Sequence, residues 1–581
     1  MDPRITAELD KVKDGIPFRA STGHVHRTWA KTFHSLPELY IQPQTLEEIQ
    51  KIITLARRCR RRLVVVGRGH SPNDLTCTSS WKINLDNFAR ILDINPGSKR
   101  VTVQGGIKLR DLNIAAKHHG LTMPNLGSID DQSIAGAIST ATHGSSTGHG
   151  LLSESVRSLQ IVLANGQAVR CSPSQNVELF RAALVSLGAL GIIVEVEFQM
   201  TESTNVEWTQ ALQPLSYVLE HWEKRLWTEE EYTRIWWLPY TSRAIVWRGH
   251  KVPSSTPHRQ PKPSWYGSLI GFHTYHTLLY MSSFVPPILP FIEWFVFGMQ
   301  YGFQVGSSTS GVEELRTGLL MDCLYSQYVN EWALPLSKGP EAITRLSAWI
   351  NGGSYETHRI PFPSRGLYVH APVEVRVSDT TVTSNSRPYL DNTSDAGPTL
   401  YLNATLYRPY LRDPPCRARY YQAFEYLMKE LGGRPHWAKN FQTLDHDDFR
   451  IMYGKHLDAW QDQRASVDPD GMFLGEYVRR NLLGEGKRRP LEEREVWRRS
   501  GRTGGVMWFG EVDARPNTPV LKKQQQEGAG NAAGNADNRL GSMTSLSTRS
   551  SDESFDRMQG EEAQSMFLSE EGVEKNEWQR T

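Results

Sequence analysis

The chain has 581 residues, and its 65 lysines and arginines nearly balance its 63 aspartates and glutamates, so the formal net charge is only +2. This balance gives no electrostatic basis for nucleic acid as a main partner. The length allows two or three domains with a sizeable core. The five cysteines are scattered and follow no metal-ligand spacing. They favour a reducing compartment, and we predict no metal site.

The first predicted elements are a helix and a buried strand that ends in a glycine turn. Thr45 and Glu48 form the pattern of a capping box at the start of the helix. The strand Leu63–Val66 leads into the turn Gly67-Arg68-Gly69-His70-Ser71-Pro72. Because glycine permits φ > 0 and close approach of the backbone, such a turn can present several N–H groups to one anion. The third glycine of the Rossmann fingerprint is missing, which disfavours NAD, and an ordinary tight turn remains open.

Two further segments rich in small residues follow at 126–144 and 186–193, and the second leads into a strand at 192–198. Small residues let the backbone lie against a ligand, and hydroxyl groups can bind pyrophosphate or ribityl oxygens. Three such segments within one domain length predict an extended dinucleotide held mainly by the backbone. The candidate cofactor contacts are Val66, Gly67, Arg68, Gly69, His70, Ser71, Pro72, Gly127, Ser128, Gly136, Ser139, Thr140, Thr142, His143, Gly144, Gly191 and Ile193.

Residues 201–440 differ in character, being richer in tryptophan, tyrosine and proline. Strand patterns at 207–212, 234–238, 244–248, 369–377 and 399–406 predict a sheet with helices packed on it. In the strand predicted at 369–377, side chains alternate between the two faces. Glu374 and Arg376 therefore lie on one face and three valines on the other. From these residues alone, an ion pair on a solvated surface is the alternative interpretation.

Two other segments have a distinctive composition. Residues 268–299 are apolar and long enough to cross a bilayer, but Pro286, Pro287 and Pro290 divide them into shorter pieces. We expect a hairpin on a membrane surface, and a true span or a buried element of the cap remain open. Residues 516–581 are rich in Ser, Gly, Asn, Gln and Glu. They predict a disordered tail.

The order of three motifs resembles the FAD domain of the vanillyl-alcohol-oxidase (PCMH) type, and within it the aldonolactone oxidoreductases. These motifs are the 67–72 turn, Asp131-Gln132-Ser133-Ile134-Ala135-Gly136, and Ile138-Ser139-Thr140-Ala141-Thr142-His143-Gly144. The resemblance covers roughly residues 25–480. It implies an α+β fold that begins with an N-terminal extension (1–24) and an FAD-binding domain (25–200). A cap or substrate domain (201–515) follows, whose C-terminal segment returns to the FAD domain, and the tail comes last.

The resemblance also implies roles for individual residues. His70 is expected to be joined covalently to the 8α-methyl group of FAD. Glu374 would bind or deprotonate the 2-hydroxyl group of a lactone, and Arg376 would position the substrate and stabilise negative charge. In His436-Trp437-Ala438-Lys439, where the family commonly has glycine at the third position, Lys439 would stabilise negative charge near the flavin, with His436 beside it. Ordinary packing of His436 and Trp437 is the alternative.

The activity implied is oxidation of D-arabinono-1,4-lactone by O2 to D-erythroascorbate and hydrogen peroxide. An L-gulono- or L-galactono-1,4-lactone as substrate, and cytochrome c as acceptor, remain open. His70 favours an oxidase, because the plant-type dehydrogenase lacks the attachment histidine. The alternative from another functional class is a membrane-docked protein that binds flavin but catalyses no reaction. The presence of Glu374, Arg376 and Lys439 argues against it. The resemblance places the protein at the mitochondrial membrane, peripheral or integral through 268–299, with its catalytic part in a reducing compartment.

Overall fold

The computed structural model describes residues 2–12, 14–321, 323–370, 372–382 and 387–485, together with the backbone of 506–508. All of them lie within one compact unit, Met1–Thr518. The tail predicted for 516–581 lies outside the described residues.

The α-helices of the described chain are α1 (Pro3–Lys11), α2 (Leu46–Cys59), α3 (Leu109–Lys117), α4 (Ile134–Ser139), α5 (Val177–Ala183), α6 (Leu215–His221), α7 (Leu269–Ser282), α8 (Leu289–Tyr301), α9 (Leu315–Leu319), α10 (Gly339–Ile350), α11 (Tyr355–His358), α12 (Arg417–Glu430), α13 (His446–Tyr453), α14 (Lys455–Val467) and α15 (Glu476–Leu482). Short 3₁₀ helices cover Leu152–Ser155, Pro286–Ile288, Leu336–Lys338, Thr380–Val382 and Pro409–Leu411.

The strands are β1 (Ala20–Ser21), β2 (His26–Arg27), β3 (Phe33–Ser35), β4 (Leu39–Ile41), β5 (Leu63–Val66), β6 (Trp81–Asn84), β7 (Ile91–Asn95), β8 (Arg100–Gln104), β9 (Leu121–Thr122), β10 (Val156–Val162), β11 (Ala168–Cys171), β12 (Ile192–Gln199), β13 (Thr201–Glu202), β14 (Thr204–Pro214), β15 (Tyr232–Leu238), β16 (Arg243–Pro253), β17 (Ser308–Glu314), β18 (Gln327–Pro335), β19 (Val373–Ser378), β20 (Thr399–Tyr407), β21 (Arg434–Pro435) and β22 (Val506–Trp508).

The N-terminal part contains the helix that the capping pattern predicts. Thr45 accepts a hydrogen bond from the Glu48 N–H at 3.2 Å, while the Glu48 carboxylate accepts one from the Gln44 N–H at 2.9 Å. The reciprocal bond of a capping box therefore reaches one residue further back than predicted. The apolar face of α2 is buried, and Ile5 of α1 packs into the same core.

Two sheets support the glycine-rich segments. The smaller has the order β1-β4-β6-β5, in which β5 and β4 pair in parallel with β6, so that β5 delivers the 67–72 turn at its carboxyl end. The larger is antiparallel, with the order β11-β10-β12-β8-β7. Its strand β12 follows the small residues at 186–191. Both sheets therefore bring loops of small residues toward one region.

An eight-stranded antiparallel sheet forms the second half, in the order β17-β14-β16-β15-β19-β20-β18-β21. Four of the predicted strand patterns fall within β14, β15, β16 and β20. The pattern at 369–377 began too early, since β19 begins at Val373. Pro372 directly precedes β19, and proline has no N–H to give to a sheet ladder.

One face of this sheet packs against helices. Val373, Val375 and Val377 lie in an apolar core with side chains of α10 and α12. The alternation predicted for this strand is therefore present, with Glu374 and Arg376 on the opposite face. That second face is the one that carries polar side chains.

The apolar segment 268–299 forms a pair of helices, α7 and α8, separated by the 3₁₀ turn Pro286–Ile288. The prolines divide the segment as expected, because proline cannot continue the hydrogen-bond ladder of a preceding helix. In the described part of the chain, no helix has both the length and the apolar character that crossing a bilayer requires.

Candidate active site

An elongated cavity lies between the glycine-rich loops and the polar face of the eight-stranded sheet. The empty space between its walls, counted with the part open to solvent, is about 1930 Å³. The walls of the cavity run from the strand and turn at 64–72 to Glu374 and Arg376 on the sheet, so the glycine-rich loops and the polar sheet face border one continuous space.

All the predicted cofactor residues except Gly144 line this cavity. A Cβ atom on Gly67 would lie 2.0 Å from Oγ of Ser133, and one on Gly136 would lie 3.0 Å from the same atom. Only glycine fits such a cradle without displacing Ser133. Gly144 instead packs against Asn125, whose Oδ1 lies 2.0 Å from the position of an added Cβ. Its small size serves packing behind the cavity wall.

His70 lies at the cavity wall, and the two nitrogens of its ring have different surroundings. Nε2 lies 3.5 Å from Oδ2 of Asp131. Nδ1 is buried and makes no hydrogen bond with the described residues. A buried nitrogen without a partner is rare in folded proteins. A flavin bound in this cradle would account for it, so the residues present fit FAD.

Sheet register places three polar side chains in one row. Glu374 of β19 pairs with Asn403 of β20, and Asn403 pairs in turn with Glu331 of β18. Residues directly opposite in neighbouring strands point to the same face. The amide of Asn403 donates to both carboxylates, at 3.4 Å to Glu374 Oε2 and 3.3 Å to Glu331 Oε2. All three line the cavity.

Glu374 and Arg376 form a buried ion pair, with 3.4 Å between Oε1 and Nε. The two residues are only 8% and 4% exposed, so the interpretation as a solvated surface pair is wrong. Neither Oε1 nor Nε makes a hydrogen bond with the described residues. Burial opposes the charged form of Arg376, but Glu374 and Glu331 raise the pKa of its guanidinium. Both residues line the cavity, and Oε1 and Nε face each other at the ion-pair contact.

Glu331 is the residue that sequence reasoning missed. Its carboxylate contacts His143 Nε2 at 2.7 Å, Arg376 Nη2 at 3.4 Å and Lys439 Nζ at 3.4 Å. Burial alone would raise the pKa of Glu331, but Lys439, Arg376 and His143 hold it well below the usual range. A lone glutamate within the apolar stretch of β18 was the signal in the sequence.

The two histidines of the site, His143 and His436, lie next to the Glu331 carboxylate. His143 stacks on Tyr401 with a centroid separation of 3.4 Å, and its ring lies 5.5 Å from that of His436. Burial lowers the pKa of both histidines, and the charge of Arg376 acts in the same direction. Ligand atoms of His143, Glu331 and His436 lie within 4.8 Å of one another. We assign no metal there, because Lys439 and Arg376 already bring two positive charges to Glu331.

The fourth predicted catalytic residue, Lys439, also lines the cavity, and its side chain is 23% exposed. Asn73, next to the glycine turn, donates to the carbonyl groups of Trp437 at 2.7 Å and Lys439 at 3.2 Å. The segment after residue 436 is thereby joined to the cofactor turn. Phe473, Gly475 and Val478 of the later chain line the same cavity.

Comparison with known proteins matches the two halves of the chain to two families. An FAD binding domain family matches residues 37–172, and the D-arabinono-1,4-lactone oxidase family matches residues 196–481. A Neurospora crassa relative is 52% identical over 84% of this chain and 91% of its own length. The chain belongs to the D-arabinono-1,4-lactone oxidase family. It carries an FAD-binding domain, and the cradle described above lies within it.

Other members of the D-arabinono-1,4-lactone oxidase family cover the chain almost as fully. The enzyme from Yarrowia lipolytica is 40% identical over 78% of this chain and 95% of its own. That from Saccharomyces cerevisiae is 35% identical, over 79% and 96%. Among solved structures, a cholesterol oxidase from Brevibacterium sterolicum matches with a TM-score of 0.64 at 15% identity, over 80% of this chain and 98% of that one. This likeness shows a shared fold, the predicted α+β architecture of the PCMH type.

Proposed function

We propose that this protein oxidises D-arabinono-1,4-lactone with O2, giving D-erythroascorbate and hydrogen peroxide. The observation that carries the proposal is the buried Glu374–Arg376 ion pair, whose two residues line the same cavity as the FAD cradle. When bound, FAD supplies a two-electron acceptor for the hydride leaving the lactone carbon. The chain itself has to bind the lactone, orient it and move the hydroxyl proton.

Glu374 is proposed as the base for the lactone 2-hydroxyl group. Its Oε2 is held by Asn403, while Oε1 is free of hydrogen bonds to the described residues. Asn403 holds one oxygen and Arg376 Nε lies 3.4 Å from the other, so the carboxylate that would take the proton has a fixed orientation in the cavity wall. The apolar packing of the neighbouring valines fixes the strand that carries it. Arg376 lies on the same face and would hold a lactone oxygen through its guanidinium group.

Lys439 and Arg376 are proposed to stabilise negative charge that develops during the reaction. Both contact Glu331, whose carboxylate keeps the two cations at fixed positions along one wall. Charges that are already oriented need no reorganisation when the reacting groups change charge. His436 packs beside this group, and its Nδ1 accepts the N–H of Ala438 at 3.1 Å, which fixes the turn leading to Lys439.

His70 is proposed as the site of covalent attachment of FAD. His70 lines the cavity, and its buried Nδ1 makes no hydrogen bond with the residues that the structure describes. A covalently held flavin stays with the polypeptide after acid precipitation, whereas a flavin bound only by contacts is released into the supernatant. Retention of the yellow colour by the precipitate is the expected result, and full release would contradict the attachment.

The function is tested on the purified flavoprotein by its visible spectrum. Without oxygen, addition of D-arabinono-1,4-lactone should bleach the flavin absorbance, and air should restore it rapidly with formation of hydrogen peroxide. Bleaching that persists in air but is reversed by cytochrome c would replace the oxidase proposal with a dehydrogenase. An absence of bleaching by this lactone, with bleaching by L-gulono- or L-galactono-1,4-lactone, would overturn the choice of substrate.

The helix pair α7–α8 is proposed to dock on a lipid surface, and the family resemblance implies the mitochondrial membrane. Large apolar side chains are exposed along the pair, including Leu269 at 63%, Ile270 at 76%, Phe284 at 57% and Phe291 at 57%. A soluble protein rarely leaves such a group of large apolar side chains in water. The aromatic side chains suit the interface between headgroups and hydrocarbon.

A further inference from the structure

Asp131 is the carboxylate beside His70, although 61 positions separate the two residues in the chain. Its Oδ2 lies 3.5 Å from Nε2 of His70. Within the described residues, no second carboxylate lies within 4.0 Å of a ring nitrogen of His70. One nitrogen of the ring therefore faces a negative charge, while the other, Nδ1, has no hydrogen-bond partner in the described part of the chain.

Three cations hold this carboxylate in place. Lys108 Nζ lies 2.9 Å from Asp131 Oδ1, Arg110 Nη2 3.3 Å from the same oxygen, and Arg68 Nε 3.4 Å from Oδ2. Burial alone would raise the pKa of Asp131, but its contacts with His70, Lys108 and Arg68 hold the pKa well below the usual range. Asp131 therefore places a fixed negative charge beside Nε2 of His70.

A carboxylate next to one imidazole nitrogen selects the tautomer that carries its proton there. With the proton on Nε2, Nδ1 keeps its lone pair and can act as a nucleophile. We propose that Asp131 is the positioning residue for covalent attachment of FAD at His70: it fixes the Nε2–H tautomer and stabilises the ring when Nδ1 forms its new bond. This inference rests on the attachment proposed above.

Attachment of FAD at His70 forms one bond and breaks two. A bond forms between Nδ1 of His70 and the 8α-carbon of FAD, while one C–H bond at that carbon and the Nε2–H bond of His70 are broken. Two electrons and two protons leave in total, and O2 accepts them to become hydrogen peroxide. Between formation of the new bond and loss of the Nε2 proton, the ring is positively charged. A fixed carboxylate beside Nε2 lowers the energy of that cation.

The test compares Asp131→Asn with the unmodified protein and with Asp86→Asn. Asp86 contacts Arg68 at 3.0 Å, so it is a neighbouring carboxylate in the same cation network that is not a contact of His70. Each protein is produced without flavin and then incubated with FAD in air. Flavin fluorescence in a denaturing gel measures covalent attachment over time, and absorbance of the native protein measures total bound FAD.

We expect Asp131→Asn to bind FAD but to attach it about 100-fold more slowly, the scale of an acid–base contribution, whereas Asp86→Asn attaches it at the normal rate. Equal attachment rates in all three proteins would overturn the inference. If the unmodified protein shows no covalent flavin, the attachment at His70 itself fails instead.

A double variant controls for the excess positive charge that Asp131→Asn leaves among Lys108, Arg110 and Arg68. Lys108→Gln combined with Asp131→Asn removes one charge of each sign and leaves His70 without its carboxylate. We expect this double variant to bind FAD and to remain slow in attachment. Recovery of the normal rate would show that Asp131 acts only by balancing Lys108, and would overturn the inference.

Discussion

Oε2 of Glu331 lies 3.4 Å from Nζ of Lys439, and the other oxygen of the same carboxylate contacts Arg376. Glu331→Gln would leave two cations near a neutral amide. Because removal of one partner from a buried pair leaves a charge uncompensated, we expect the free energy of unfolding to fall by about 3 kcal/mol. Denaturant titration measures this loss. Glu202→Gln, on an exposed pair with Lys99, should cost much less, because an exposed ion pair contributes little to stability; equal losses would contradict a special role for Glu331.

Glu374→Gln keeps the shape of the side chain but removes its capacity to accept a proton. We expect kcat for lactone oxidation to fall about 10²–10⁴-fold, as for loss of a general base, with FAD still bound. Stopped-flow reduction of the flavin by lactone is the direct measurement. Glu207→Gln, an exposed carboxylate of β14 in the same sheet, is the control. A normal reduction rate in Glu374→Gln would exclude the assigned role.

Gly67→Ala tests the cradle, because the added Cβ would lie 2.0 Å from Oγ and 2.7 Å from Cβ of Ser133. We expect weak binding of FAD or failure to fold. Ser133→Gly removes both clashing atoms and leaves Cα of residue 133 at 3.9 Å. The double variant should therefore regain FAD, measured as the ratio of flavin to protein absorbance. If Gly67→Ala alone binds FAD normally, close approach at this position is unnecessary.

Glu293 of α8 accepts hydrogen bonds from the N–H groups of Tyr240 at 3.0 Å and Thr241 at 2.8 Å. Burial raises the pKa of this carboxyl from 4.5 to about 7, despite those bonds. The folded protein therefore holds the proton more tightly than the unfolded chain. The stability gained is fully present below about pH 4.5 and is lost as the pH rises through about 7.

Glu293→Gln, which does not titrate, should remove this dependence. Its Tm relative to the unmodified protein should rise between pH 5 and pH 8, since each pH unit between the two pKa values is worth about 1.4 kcal/mol. Differential scanning calorimetry across this range measures the difference. A constant difference at all pH values would show that the pKa of Glu293 is the same in the folded and the unfolded protein.

Ile270→Ser together with Phe291→Ser should weaken association with lipid vesicles about 10-fold or more, because each change removes an apolar side chain worth about 1.5–3 kcal/mol when buried. Co-sedimentation with vesicles of phosphatidylcholine and cardiolipin is the measurement. Ile451→Ser is the control, since Ile451 is 84% exposed but belongs to α13 rather than to the helix pair. Equal losses in the control, or none in the double variant, would contradict docking through α7–α8.

Local patterns in the sequence determined the parts of this protein that depend on neighbouring residues. The strand Leu63–Val66 and its glycine turn follow from β-branched residues and from the steric freedom of glycine. The alternation of β19 follows from a period of two, which placed Glu374 and Arg376 on one face. The break between α7 and α8 follows from the missing N–H of proline.

Tertiary structure decided what those local elements meet. Glu331 joins the site because β20 lies between β18 and β19, an order that chain position does not reveal. Asp131 meets His70 because separate loops converge at one wall of the cavity. The sequence pattern of Glu374 and Arg376 was also compatible with an ion pair on the surface. In the folded protein both residues are buried and line the cavity. Strand order, register and burial result from long-range packing, so a single sequence carries them only as the sum of many distant contacts.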